Sequence, residues 1–421
     1  MSHRRSFTYY RHMHVLLFDQ HAGGHHAEYA SKLLDRLKVQ STDLEVEFLT
    51  TKPSPEHEQY FENDISCLST TDETLSRAEI VDLLDTYVED HAYDIVHVLQ
   101  IDDILLELAT RFRPDSSVQV CGTLNGAYFH FWNRHFLSYI NDGAAEVAAR
   151  VDGGRFVQAL TPVVGTFPEL GPKLCPPAVA LAASLNKPLD HLFVHAETAM
   201  EYVDRVSDGT PTTVIPDPLE VWEADDVDRA RLRSELDIPT DGLMFLFFGE
   251  TRYEKGPDVL LEAVKQYHGP PCTIVFAGPP DHVTAGDLER AEVPSNVNLH
   301  ERLEFVPEAD VRSYFLAADA VVLPYRREFG VYRTSGVFQK ACAAGRPLIV
   351  SDFGELKRRV REYDLGTTFP LGDADALAGT LGQTSNYGYS SYNPRSASDY
   401  ADSQSYTQAA VRTLDIYRKL V

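Results

Sequence analysis

Two cationic side chains follow a strongly apolar stretch in the segment FLFFGETRYEKGPDVLLEAV, Phe245 to Val264. The apolar run predicts a buried strand, and the periodic run after it predicts a helix. Arg252 and Lys255 lie in the turn between them. Guanidinium and ammonium groups bind phosphate, and the amides at a helix start point into the same space. The segment therefore predicts an anion site, with a solvated strand-to-helix turn as the alternative.

A second anion-binding pattern follows the apolar stretch AVVLPY, Ala320 to Tyr325. Thr334, Ser335 and Gly336 predict the N-cap of a helix that runs to Ala344. Hydroxyl and free amide groups at such a start donate to phosphate, and a glycine lets the phosphate approach the backbone. The alternative is an ordinary capped helix. Because both patterns follow strands of one predicted sheet, they can share one diphosphate.

Length and charge limit the classes of protein that the chain can belong to. Its 421 residues exceed what one core usually serves, so two domains of roughly 200 residues each are expected. The formal net charge is -25, and the acidic residues are spread along the chain. Such a surface suits high salt and predicts the cytoplasm of a halophile. It argues against a nucleic-acid partner, which requires a basic face.

The cysteines show no paired spacing, which fits reduced thiols rather than disulfides or a metal site. They are Cys67, Cys121, Cys175, Cys272 and Cys342. The twin arginine near the start precedes an apolar run, Val15 to Phe18, that is too short for an export signal. No segment approaches the roughly 18 apolar residues of a spanning helix. A soluble protein is expected, with peripheral membrane contact and oligomeric state left open.

Short apolar runs alternate with helical periodicity along the chain, which predicts βαβ units and parallel sheets. The predicted strands are residues 14–19, 44–50, 93–100, 118–123 and 191–196 in the first half and 243–249, 272–278, 296–300, 320–325 and 347–352 in the second. The expected fold class is α/β, with two Rossmann-like, doubly wound domains facing each other across a cleft. Residues 1–215 form the first predicted domain and residues 216–395 the second.

Residues 396–421 form a predicted C-terminal segment. The stretch from Gly382 to Tyr406 is rich in Ser, Tyr and Asn without apolar periodicity, so it predicts a connecting segment. The run from Tyr406 to Leu420 has apolar residues on one face and predicts a last helix. We expect that helix to pack back on the first domain.

Three segments of the second half resemble, in order and spacing, the carboxyl-terminal domain of family-4 (group 1) retaining glycosyltransferases of GT-B fold. They are FFGETRYEKGPDVLLEA, EADVRSYFLAADAVVLPYR and TSGVFQKACAAGRPLIVSDFGEL. The resemblance covers most of His191 to Ala378. It implies metal-independent, cofactor-free transfer of a sugar from a nucleoside diphosphate donor to a hydroxyl acceptor. Surface-glycan or lipid-linked oligosaccharide assembly is the implied setting.

The resemblance implies roles for the residues of the second half. Arg252 and Lys255 would hold the donor diphosphate and stabilise its departure, and Thr334, Ser335 and Gly336 would bind the same group from the helix start. Glu328 resembles the first glutamate of the E-x7-E motif, which touches the donor sugar. Phe305 and Val306 resemble the wall against which the nucleobase lies, with two core residues as the alternative.

In the first half, the resemblance implies that Gly23 and Gly24 form a loop facing the donor phosphates and the acceptor. His25 and His26 are candidates for acceptor contacts or for a base, or else polar residues at a helix start. Asn125 stands near the position of a histidine or aspartate in many relatives.

Three further polar positions of the first half are singled out. His130 is a candidate substitute for the histidine or aspartate that relatives carry. Asp102 and Asp103 could reach an acceptor hydroxyl. His97, inside a predicted strand, is expected to be a core histidine.

The sequence departs from the family motif at its second glutamate, which would fall at Lys340 or at Gly336. A branch of the family with Ser-Gly in place of this pattern is similar. A non-catalytic nucleotide-sugar-binding protein on a GT-B frame is the alternative function. A dinucleotide dehydrogenase is disfavoured, because no G-x-G-x-x-G follows a predicted strand.

Overall fold

The computed structural model describes residues 12–21, 25–52, 60–61, 65–69, 74–125, 189–206, 209–222, 228–387 and 392–421. Gly23, Gly24 and His130 therefore lie outside the described residues, as does the side chain of His25.

The first domain is built on a parallel sheet of seven strands. These are β1 (Met13–Asp19), β2 (Leu44–Thr50), β3 (Ser66–Cys67), β4 (Ile95–Val98), β5 (Gln119–Leu124), β6 (His191–Val194) and β7 (Thr212–Val214). Their order across the sheet is β3-β2-β1-β4-β5-β6-β7. The described helices are α1 (His25–Gln40), α2 (Arg77–Glu89), α3 (Leu105–Arg111) and α4 (Glu197–Val206).

The second domain repeats this plan with six parallel strands. These are β8 (Leu243–Phe248), β9 (Cys272–Ala277), β10 (Val297–Arg302), β11 (Ala320–Leu323), β12 (Leu348–Ser351) and β13 (Gly366–Phe369), in the order β10-β9-β8-β11-β12-β13. The helices are α5 (Arg229–Glu235), α6 (Pro257–Lys265), α7 (Ala285–Glu289), α8 (Glu308–Ala317), α9 (Gly336–Ala343), α10 (Gly354–Glu362) and α11 (Ala374–Tyr387).

Both sheets are covered on two faces, which explains the continuous apolar runs of their strands. In β1, Leu16 packs into one core cluster while its neighbour Leu17 packs into another on the opposite face. In β8, the neighbours Met244 and Phe245 likewise pack into two different core clusters. The two doubly wound parallel sheets confirm the predicted α/β fold class.

All ten predicted strands are present, and three further strands, β3, β7 and β13, were not predicted. Each of the three lies at the edge of its sheet and is two to four residues long. An edge strand pairs on one side only, so a short segment without an apolar run suffices.

The stretch between Gly382 and Tyr406, predicted to connect the second domain to the last helix, contains helical structure that the sequence did not predict. Helix α11 extends into it to Tyr387, and helix α12 spans Pro394–Ser403. Asn393 caps α12 by accepting hydrogen bonds from the amides of Arg395 and Ser396. The helix buries Ala397, Tyr400 and Ala401. Its serine-rich composition hides this helical spacing.

The last helix, α13, spans Tyr406–Leu420, as the sequence predicts. It lies against α1, and its Ala410, Leu414 and Tyr417 join the core cluster that contains β1 residues of the first sheet. Helix α12 joins a core cluster of the second domain instead. The chain therefore crosses from the second domain to the first at its end, while the domain bounds stay a prediction.

Two findings concern the described part of the chain alone. None of its helices combines the length and the apolar character that a membrane span requires. Its four cysteines, Cys67, Cys121, Cys272 and Cys342, are free thiols.

Candidate functional site

Lys255 is buried at the carboxyl end of β8. It ends a 3₁₀ turn, Tyr253–Lys255, and is 8% exposed. In the part of the chain that the structure describes, its Nζ has no hydrogen-bond or ion-pair partner. A Cβ added to Gly249 would lie 2.7 Å from this Nζ. The ammonium group therefore packs over the backbone of Gly249, whose φ of +94° itself favours glycine.

The surroundings of Lys255 disfavour its charge. Burial lowers the pKa of Lys255 to about 8, and two cations, Arg252 and Arg333, act in the same direction. The carboxylates of Glu250 and Glu254 oppose the shift. A bound anion would stabilise the charge of a buried ammonium group, so this position favours an anionic ligand.

Arg252 lies beside Lys255 and is oriented by carboxylates. Its Nε is 3.3 Å from Glu254 and 3.5 Å from Glu250. The same Nε is enclosed and makes no hydrogen bond. Ion pairs with Glu250 and Glu254 thus hold the Arg252 side chain near the site, and an anionic ligand could replace these carboxylates as its partner.

The predicted helix start at Ser335 is confirmed by α9. The Ser335 hydroxyl accepts a hydrogen bond from the amide of Phe338 at 3.4 Å and lies 3.3 Å from the Tyr325 hydroxyl. Among the described residues, the amides of Gly336 and Val337 have no acceptor. Backbone amides, more than the engaged hydroxyl of Ser335, are therefore what this helix start offers a ligand.

The structure brings the turn after β8 and the start of α9 together. A Cβ on Gly249 would lie 3.9 Å from Cγ2 of Val337 as well as next to the Lys255 ammonium group. The charge of Arg252 also acts on Tyr325, the neighbour of Ser335. Cations and free amides thus converge from two adjacent strand ends.

Arg326, which the sequence did not single out, joins these two parts. Its guanidinium binds both carboxylate oxygens of Asp258 in α6, at 2.7 and 2.6 Å. It also lies over the ring of Tyr253 at 4.2 Å, and its backbone amide donates to the Glu254 carbonyl at 2.8 Å. Arg326 therefore fixes the loop after β11 to the turn that carries Lys255.

The other residues predicted to contact the donor differ in their exposure. Glu328 is half-buried on a 3₁₀ turn, Arg327–Phe329. Phe305 is 77% exposed, whereas Val306 is 6% exposed and belongs to the core. The core alternative thus describes Val306 and fails for Phe305.

Thr334 directly precedes the N-cap of α9 and is half-buried. Lys340, at the position of the second glutamate, forms an ion pair with Glu308 of α8 at 3.4 Å. That part of the surface thus carries a Lys–Glu pair in place of one carboxylate.

The carboxyl ends of the first sheet carry two His–Asp pairs. His26 Nδ1 lies 3.1 Å from Asp19, and His21 Nε2 lies 3.0 Å from Asp103. The two imidazole rings are 4.5 Å apart. The hydrogen bond to Asp103 raises the pKa of His21. His26 and Asp103 were named from the sequence, whereas Asp19 and His21 were missed, although Asp19 ends the first predicted strand and His21 lies two residues beyond it.

Asn125 joins the ends of three strands. Its amide nitrogen Nδ2 donates to the Leu99 carbonyl at 2.8 Å, and its Oδ1 lies 2.7 Å from Nε2 of His195. Its backbone amide donates to Asp102 at 2.8 Å. These contacts engage the polar atoms of Asn125 within the protein, and a contact of Asn125 with the acceptor stays a prediction.

His97 is a satisfied core histidine, as predicted. Its Nδ1 lies 2.5 Å from the Tyr417 hydroxyl and its Nε2 lies 2.7 Å from Thr123. Burial lowers its pKa to about 3, so the ring stays neutral.

A separate group in the described part of the chain could hold a metal ion. Ligand atoms of His14, Glu45 and Glu47 lie within 4.8 Å of one another. They stand near the amino ends of β1 and β2, opposite the edge that carries the His–Asp pairs. His14 already pairs with Glu47 at 3.3 Å. This group therefore lies apart from the candidate site.

A buried polar network connects the two domains. Glu355 of α10 accepts hydrogen bonds from Arg359 at 2.8 Å and from Thr198 of α4 at 3.0 Å. Arg359 also donates to the His195 carbonyl. Gln339 of α9 donates to the Asp217 carbonyl at 2.6 Å. Helix α10 is thus tied directly to α4 and to the end of β6 in the first domain, and α9 to the segment that follows β7.

Comparisons with known proteins extend this picture. Residues 242–386, about a third of the chain, match the family described as glycosyl transferases group 1. The chain is 30% identical over 215 residues to the D-inositol 3-phosphate glycosyltransferase of Jonesia denitrificans, covering 48% of each protein. It is 27% identical over 248 residues to the enzyme of that name from Xylanimonas cellulosilytica, covering 56% of each. The chain spans about half the length of the curated relatives it matches.

Solved structures match over nearly the whole chain. Sucrose-phosphate synthase from Thermosynechococcus elongatus has a TM-score of 0.65 and 18% identity, covering 97% of this chain and 99% of that one. Anabaena HepE in complex with UDP and glucose has a TM-score of 0.66 and 14% identity, covering 97% and 100%. The fold is GT-B, and the resemblance of the second half to group 1 glycosyltransferases is confirmed.

Proposed function

We propose that this protein is a glycosyltransferase that moves a sugar from a nucleoside diphosphate donor to a hydroxyl acceptor. The observation that carries the proposal is the convergence of the buried Lys255 and the free amides of α9 at adjacent strand ends. The match of residues 242–386 to group 1 glycosyltransferases supports it. A neighbour of the same fold was solved with UDP-glucose, which favours a nucleotide-sugar donor.

In the proposed reaction, the bond between the anomeric carbon and a diphosphate oxygen breaks, and its electron pair stays on the diphosphate. The acceptor oxygen forms the new bond to that carbon, and its proton passes to the departing diphosphate. Lys255, Arg252 and the amides of Gly336 and Val337 would stabilise the growing negative charge. Groups held in place before the reaction lower the barrier more than they favour the bound donor.

We propose that the transfer retains the anomeric configuration and needs no divalent metal, since Lys255 and Arg252 would supply positive charge where the diphosphate is proposed to bind. Glu328 would contact the donor sugar and Phe305 the nucleobase. The Gly23–Gly24 loop, His25, His26 and His130 stay proposals for the acceptor side. A glycan or lipid-linked acceptor is proposed, and relatives named for inositol 3-phosphate favour a polyhydroxyl compound.

A panel of uridine, guanosine and adenosine diphosphate sugars tests this function. We expect one class to raise the melting temperature of the full-length protein and to release its sugar to a polyhydroxyl acceptor. Assays at low and molar salt test the proposed halophilic setting, and EDTA should leave the turnover unchanged. Binding of a nucleotide sugar without transfer or hydrolysis would favour the non-catalytic alternative. Binding of no donor in the panel would contradict both.

A further inference from the structure

We propose that Arg333 is a further donor-binding residue and that it contacts the same diphosphate as Lys255 and the start of α9. The family motif and the sequence pattern did not point to it. The inference rests on the proposed function, since it adds a contact to that site. It concerns a nucleoside diphosphate, whichever base and sugar it carries.

Packing fixes Arg333 at the start of α9. Its guanidinium carbon lies 4.8 Å from the centre of the Phe329 ring, and Nη1 donates to the Phe329 carbonyl at 3.4 Å. The Phe329 ring lies 4.4 Å from the Tyr325 ring, and the Tyr325 hydroxyl reaches Ser335. Arg333 is also only two residues before that N-cap. The guanidinium therefore belongs to the same packed unit as the free amides of Gly336 and Val337.

The charge of Arg333 acts on titratable groups of the site. It lowers the pKa of Lys255, as does the charge of Arg252, and both charges oppose the rise that burial causes in the pKa of Tyr325. Like charges placed close together raise the energy of the ligand-free protein. The carboxylates of Glu250 and Glu254 offset part of this repulsion. A doubly charged ligand at this strand edge would offset more of it.

An arginine can make hydrogen bonds to a phosphate that a lysine cannot make. The guanidinium has five N–H donors in a planar fork, so it can keep its contact to Phe329 and still bind two phosphate oxygens. Lys255 is a point charge next to Gly249. Together they would define both the charge and the orientation of the diphosphate.

The main experiment measures UDP and inorganic pyrophosphate binding by calorimetry for wild type and Arg333→Met. Methionine keeps an apolar stem on Phe329 and removes the charge. A lost charge-assisted contact is expected to weaken both ligands roughly 10- to 100-fold. Arg333→Lys should recover part of the loss. Arg327→Ala is the matched control, because Arg327 is exposed on the same loop, and we expect a change of about twofold or less.

A second readout separates binding from mere loop structure. Removing the Arg333 charge should raise the pKa of Lys255, since that charge lowers it in the wild type. The pH dependence of Lys255 acylation, followed by mass spectrometry, measures this shift. Unchanged UDP affinity in Arg333→Met, together with weak binding in Lys255→Ala, would overturn the role of Arg333 alone. Unchanged affinity in both variants would remove the proposed donor site itself.

Discussion

The carboxyl ends of the two sheets carry different chemistry. In the first domain, His21 and His26 are each paired with a carboxylate, so the polar groups largely satisfy one another. In the second domain, Lys255 is buried without a partner in the described part of the chain and lies beside free helix amides. One edge suits a neutral, hydroxyl-rich molecule and the other suits a dianion.

This difference indicates which domain would hold which substrate. A diphosphate placed at the first edge would meet Asp19 and Asp103, whose charges would repel it. At the second edge it would relieve the repulsion between Lys255 and its neighbouring cations. The acceptor hydroxyl and the donor diphosphate would therefore meet across the junction between the domains.

The junction itself provides the largest expected effect. Glu355 is 1% exposed and accepts hydrogen bonds from Arg359, which is buried too. Removing one partner of a buried ion pair leaves the other charge uncompensated. We expect Glu355→Ala to lower the free energy of unfolding by about 3–5 kcal/mol in urea titrations. Glu362→Ala in the same helix removes an exposed carboxylate and should lower the free energy of unfolding by less than about 1 kcal/mol. Equal losses in the two variants would contradict a role for this network.

The second prediction tests the dianion edge directly. Lys255→Ala should lower turnover with the preferred nucleotide sugar by about 10²–10³-fold, the effect of losing one preorganised group that stabilises charge. We expect Arg252→Ala to lie in the same range. Lys265→Ala, an exposed lysine paired with Glu262, is the control and should be close to wild type. Near-full activity in the Lys255 variant would contradict the role of Lys255 in stabilising the diphosphate.

The third prediction uses the low pKa of Lys255. In the free protein this ammonium group loses its proton as the pH rises through about 8. If only the charged form binds diphosphate, UDP affinity should fall about tenfold per pH unit above that value, as linkage requires. Calorimetry between pH 7 and pH 9 measures this. Lys255→Arg stays charged and should show a flat profile over the same range. A wild-type affinity that does not change with pH would exclude Lys255 from the site.

The smallest effect concerns the first edge. Asp103→Asn should lower the pKa of His21, because the bond to Asp103 is what raises it. An NMR titration of the imidazole signals measures the shift, and Asp115→Asn at the surface is the control. UDP affinity should stay within about twofold of wild type, since replacing the Asp103 carboxylate by a neutral amide removes no cation from the proposed diphosphate site. A large loss of UDP binding would show that the two edges do not divide the substrates as described.

Motif spacing alone is enough to locate the second edge. The apolar runs predicted β8 and β11, and the residues after them gave Lys255 and the capped start of α9. Such local patterns depend on neighbours within a few residues, which a single sequence contains. The same reasoning missed helix α12, where the composition of the segment outweighed its helical spacing.

By itself, the sequence determined the alternation of strands and helices, the two parallel sheets and the turn that carries Arg252 and Lys255. Only the tertiary structure decided that Arg326 ties this turn to the loop after β11 and that Arg333 acts on Lys255. It also decided that His21 pairs with Asp103 across 82 residues. The physical reason is that strand runs and caps are short-range patterns, whereas these contacts form between strand ends that adjoin only once the sheets are assembled.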